Sequence, residues 1–86
     1  MTNEELDRIY ERCESARIGP WTSFVEGRDH LSGCSFIKVG EGENRRDDIE
    51  LTGATVADQD FIASARQDIP ALIKEIKRLR ELLPEN

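Results

Sequence analysis

The sequence predicts an α+β domain: an N-terminal helix, a three-stranded antiparallel sheet, then a long C-terminal helix kinked or broken near Pro70. Three observations carry this. Apolar residues recur at helical spacing near both ends, whereas the middle consists of short aromatic and β-branched runs separated by glycines. The chain has 86 residues, 37% hydrophobic and 35% charged, which fits one domain (1–86) with a thin core.

The first helix is expected over 3–17. Thr2-Asn3-Glu4-Glu5 has the capping-box pattern, and Leu6, Ile9, Tyr10, Cys13 and Ala16 then fall on one stripe. Gly19-Pro20 ends it, because proline donates no amide to a continuing ladder. The sheet is expected within 21–53, with strands at Trp21–Val25, Cys34–Val39 and Asp48–Thr52. Ile49 and Leu51 alternate with polar neighbours in the last of these. The polar, glycine-rich stretch 40–47 reads as the hairpin loop between the second and third strands.

Helical spacing returns after Gly53, with Thr55 as a cap and Phe61, Ile62, Ala65 and Ile69 on one face. Pro70 removes a backbone donor and disfavours helix at the residue before it, while Asp68 is a good N-cap. Two helices, 56–67 and 69–83, meeting at a capped corner are therefore expected. Arg66, Asp68 and Pro70 are assigned structural roles there, with Arg66 reaching a carboxylate or a loop carbonyl.

Beyond the corner Ile69, Leu72, Ile76, Leu79 and Leu83 step by three and four, and Ile73 and Leu82 widen the stripe. This spacing fits a coiled-coil seam or a helix lying on a sheet. A core-only chain of this length struggles to be stable, so self-association through the stripe is expected. Lys74, Lys77, Arg78 and Arg80 lie on its polar side near the C-terminus, where positive charge offsets the helix dipole.

Charge and composition exclude several classes. The net charge of −6 argues against nucleic acid as the general partner. No apolar run approaches the roughly 20 residues of a membrane span. The acidic first fifteen residues are unlike a signal peptide, so a cytoplasmic location and reduced Cys13 and Cys34 are expected. A metal site or other cofactor is not expected, since His30 is the sole histidine and neither cysteine lies in a CxxC pair. Catalysis is not expected either. Ser23, Ser32 and Ser35 lack a nucleophile elbow, and Asp58 and Asp60, two apart, point to different sides of a helix.

Ligand candidates are few. Arg45 and Arg46, on a glycine-flanked loop, can donate paired N–H groups to a phosphate-like anion. Their acidic neighbours Glu41, Glu43, Asp47 and Asp48 fit a solvated hairpin tip instead. Trp21, after the Gly-Pro turn, is a candidate stacking ring or a core residue.

Two motifs carry a resemblance. Ala16-Arg-Ile-Gly-Pro-Trp21 is similar to an A-x-P-G-P-W turn, with Ile18 where proline is usual. Asp58 through Arg80 is similar to D-x-x-F-I-A-x-A-R-x-D-V/I-P-x-L followed by a basic helical end. Together they resemble the small accessory proteins of phages, prophages and actinobacteria. The resemblance implies an accessory protein in the cytoplasm of a bacterial host cell that acts by binding, as in anti-defence. Together with the stripe, the expectation is a non-catalytic binding module, a homodimer, that engages a host factor or sequesters a small nucleotide-like anion. The alternative is a structural or regulatory accessory protein whose C-terminal helix pairs with a partner helix.

Overall fold

The computed structural model describes residues 1–83 and has the expected α+β order. Helix α1 (Asn3–Ser15) precedes strands β1 (Trp21–Phe24), β2 (Phe36–Val39) and β3 (Arg46–Ile49), and helix α2 (Val56–Glu81) follows. The sheet is antiparallel in the order β1-β2-β3, and a short 3-10 turn at Gly42–Asn44 joins β2 to β3.

Both helices begin with reciprocal caps. Thr2 accepts from the Glu5 amide while the Glu5 carboxylate accepts from the Thr2 amide, and Thr55 and Asp58 do the same for α2. Each box satisfies two amides that a helix start otherwise leaves without partners.

Pro70 does not break α2. One helix of 26 residues runs through it, and Asp68 sits inside that helix, exposed, instead of capping a second one. Proline costs one intrahelical hydrogen bond, but packing on both sides of it holds the helix together. Arg66 Nε donates to Arg17 O at 2.9 Å, and Lys77 Nζ reaches Asp7 Oδ1 at 3.0 Å beyond the proline. Arg80 also donates to Asn3 and to the Met1 carbonyl. Helix α1 thus lies antiparallel to α2 and splints it across Pro70.

The third strand starts two residues earlier than its apolar alternation indicates. Arg46 pairs with Val39 and Ile49 with Ile37, so β3 carries one residue more than β2 over this interval. Its Arg-Asp-Asp start is exposed edge strand, which charge protects from pairing with other chains. Leu51 falls beyond the strand, and α1 ends at Ser15.

Helix α2 is the hub: β1 and β2 pack on it, and among the described residues α1 packs on α2 alone. The buried apolar core is Leu6, Val25, Ile37, Val39, Ala63 and Ile73. Gln59, only 5% exposed, ties α2 to the sheet. Its amide nitrogen faces Ser23 Oγ at 2.9 Å and the carbonyls of Phe24 and Phe36, both at 3.2 Å. Those two residues are partners at the end of the β1-β2 ladder, so the side chain adds a second donor to carbonyls that the ladder pairs with each other's amides. Gln59→Leu keeps the volume but removes all three of these contacts between α2 and the sheet. It is expected to cost about 2 kcal/mol and to lower the melting temperature by about 10 °C. A calorimetric scan in which the leucine variant melts at or above the wild type would contradict this role.

Candidate interaction surface

The face α2 turns to its own core is not its apolar stripe. Gln59, Ala63, Arg66, Ile73, Lys77 and Arg80 point to the sheet or α1. The apolar series lies roughly a quarter to a third of a turn round the helix. Ile62, Ala65, Ile69, Leu72, Ile76 and Leu79 continue one unbroken three-four spacing through Pro70. Ala65 and Ile76 are half-buried, whereas Leu72 is 59% and Leu79 49% exposed. Leu83, expected to close the seam, lies beyond the helix end and is exposed, as is Leu82.

Helix α1 extends this surface. Ile9, Cys13 and Ala16, half-buried, line an open groove of about 250 Å³ with Ile62, Ala65 and Ile69. Trp21 closes one end of the groove. Its backbone exchanges two hydrogen bonds with the Gln67 amide, and its indole nitrogen donates to Arg17 O at 3.2 Å. Arg17 O accepts from Arg66 as well, so one carbonyl fastens both α1 and Trp21 to α2. Phe61 carries the apolar surface on toward the start of α2, where it lines a depression with Leu51 and Ile62.

Arg45 and Arg46 stand elsewhere. Arg46 opens β3 and donates to the carbonyls of Glu43 and Arg45, while Arg45 pairs with Asp48 and with the Arg46 carbonyl. Both guanidinium groups are occupied in rigidifying their own hairpin. Neither arginine lines the groove that Trp21 borders.

A polar clamp sits on the far side of the start of α2. Arg28 grips Asp60 through two bonds of 2.8 and 3.0 Å and also holds Asp29, whose carboxylate accepts from the Val25 amide at 2.8 Å. The bidentate pair, aided by Ser23, holds the Asp60 carboxyl down to about 2, and Arg28 likewise lowers that of Asp29. Arg28 itself is pushed up, first by Asp60 and then by Asp29. Because Asp60 binds its proton more weakly in the folded chain, its contribution is fully present above the ordinary carboxylate value near 4. It is lost as pH falls through about 2. Melting temperatures of the wild type are therefore expected to fall across this window more steeply than those of Asp60→Asn. The difference should shrink in high salt, because the pair is partly solvated. Parallel curves for the two proteins would contradict the assignment.

Beside the clamp, His30 lies on the Phe24 and Phe36 rings on the outer sheet face, with its Nδ1 accepting from the Ser32 amide at 3.0 Å. That ring-to-serine contact uses the wrong nitrogen for a relay: Glu26 faces the same Nδ1 at 3.6 Å. Cys13 and Cys34 are both unpaired. Among the described residues no three His, Cys, Asp or Glu side chains converge in a metal-binding group, and no helix is long and apolar enough to cross a membrane.

The sequence pointed to the C-terminal half of this surface and missed its extent. Treating Pro70 as a break separated Ile62 and Ala65 from the seam they begin. The spacing of the α1 stripe predicts a helix but not what its face meets; of that stripe Leu6 alone is fully buried, and Ile9, Cys13 and Ala16 join the open surface. The unbroken spacing from Ile62 to Leu79 was the available signal. Comparison of the chain with protein-family models, curated proteins and solved structures finds no match.

Proposed function

We propose that the chain is a non-catalytic protein-interaction module, of the phage and prophage accessory type its two motifs resemble, working through the joint α1/α2 face in the cytoplasm. The observation that carries this reading is the direction of the α2 stripe. A helix that needs an apolar stripe only for its own core turns that stripe inward. Here Leu72 and Leu79 face solvent, while Gln59, Ala63 and Ile73, flanked by Arg66 and Lys77, occupy the inward side. Exposed apolar surface in one contiguous strip is the mark of a seat for another protein. A helix laid along it, with anchors spaced by three and four, is the recognition mode it fits. The internal engagement of Arg45 and Arg46 favours a protein target, such as a host factor, over a nucleotide-like anion.

The reading is tested in the cells that make the protein. Tagged wild-type chain should elute from gel filtration of a gentle lysate in a particle larger than the 9.8 kDa chain. The Leu72→Glu/Leu79→Glu variant should elute as the free chain. An unchanged elution position would overturn the reading.

A further inference from the structure

Resting on that reading, we propose that the occupant of the face is a second copy of this chain, related by a two-fold axis parallel to the helices. Each α1 then lies across the partner's α2, and the four helices form an alternating up-down bundle.

Size argues for a copy. Among the described residues six apolar ones are buried, and the radius of gyration of 16.2 Å exceeds the roughly 12 Å of a compact chain this long. The excess comes from α2, whose second half runs past the sheet with α1 as its neighbour. The exposed face offers on the order of several hundred Å² of apolar surface per subunit, so two copies together approach the ~1,200 Å² of a stable specific interface.

Charge selects the axis. The rim of the face on α1 carries Arg12, with Arg8 one turn earlier; the rim on α2 carries Asp68 and Glu75 beside Leu72. An axis across the helices sets each rim against its own copy, basic on basic and acidic on acidic. An axis along the helices sets the basic rim of one subunit against the acidic rim of the other and preserves height along the bundle. Within a subunit Arg17 is level with Arg66 and Asp7 with Lys77. With equal rise in both helices, Arg12 comes level with the Asp68–Leu72 turn of the partner and Arg8 with its Glu75. Arg78 already holds Glu75 within α2, so the pairing of Arg12 with Asp68 carries most of the preference.

Sedimentation equilibrium of the purified full chain, from about 10 to 100 μM, tests this. The wild type should have twice the mass of one chain. Arg8→Glu/Arg12→Glu should weaken association at least tenfold, as should Asp68→Lys/Glu75→Lys, and the four changes together should restore it to within about threefold. Circular dichroism of each variant separates loss of pairing from loss of fold. A monomeric wild type at 100 μM, or a fourfold variant no better than its parents, overturns the copy or its axis. If the purified chain is monomeric while the lysate particle still depends on Leu72 and Leu79, the second copy fails and the helix-face reading stands. If neither responds, the helix-face reading fails as well.

Discussion

Gly40→Ala is expected to unfold most of the protein at 37 °C, whereas Gly42→Ala, two residues away, costs about 1 kcal/mol. Both glycines have positive φ, +73° and +55°, so an alanine at either position meets the left-handed penalty. Their surroundings differ. A Cβ on Gly42 meets nothing within 4 Å, while one on Gly40 would sit 2.0 Å from the Asn44 carbonyl oxygen. That carbonyl belongs to the loop closing the β2-β3 hairpin, and the Gly40 amide is held at 2.9 Å by Pro20 O. Neither side can yield without losing a strand junction. A cost on the order of 4 kcal/mol approaches the whole stability of a small domain. Thermal melts followed by circular dichroism compare the two variants, and equal losses would contradict the close packing of this corner.

Leu72→Glu is expected to abolish association while leaving the subunit folded. Leu72 is 59% exposed, so the folded chain loses little by carrying a charge there, about 0.5 kcal/mol or less. In a seam the same carboxylate is buried at the centre of the apolar strip without a partner. Removal from water then costs about 3 kcal/mol or more, a loss of at least a hundredfold in affinity. The contrast with Ile73, one residue on, is the internal control. Ile73 is 3% exposed, so Ile73→Ala should cost about 3 kcal/mol of subunit stability through the cavity it leaves. Denaturant melts and gel filtration of both variants separate the two effects. If Leu72→Glu destabilised the isolated subunit as much as Ile73→Ala, the stripe would belong to the core.

Periodicity made the order of elements legible, because both helices start with complete capping boxes and carry three-four spacing. What it left out has physical causes. A proline ends a helix only where nothing else holds it. Here contacts from Arg66, Lys77 and Arg80 to α1, each more than forty residues away in sequence, span the proline. The start of strand β3 escaped because Arg46, Asp47 and Asp48 are exposed edge residues with no apolar alternation to read. Gln59 and Gln67 gave no signal at all. A glutamine in a helix counts as surface until the carbonyls it must satisfy are known. The apolar stripe was legible as a pattern, yet its direction was not. A coiled-coil seam and a helix on a sheet share one spacing, and the choice depends on which face the remaining elements cover.

Site-directed photo-crosslinking tests the central claim, that the outward face of α1 and α2 is the interaction surface, most directly. A photoreactive side chain placed at Leu72 should give an abundant adduct in cells. The same group at Lys74, on the exposed face away from the stripe, should give little. An adduct at twice the chain mass is the result expected for a second copy. Equal yields at the two positions, or none at Leu72, would contradict the account.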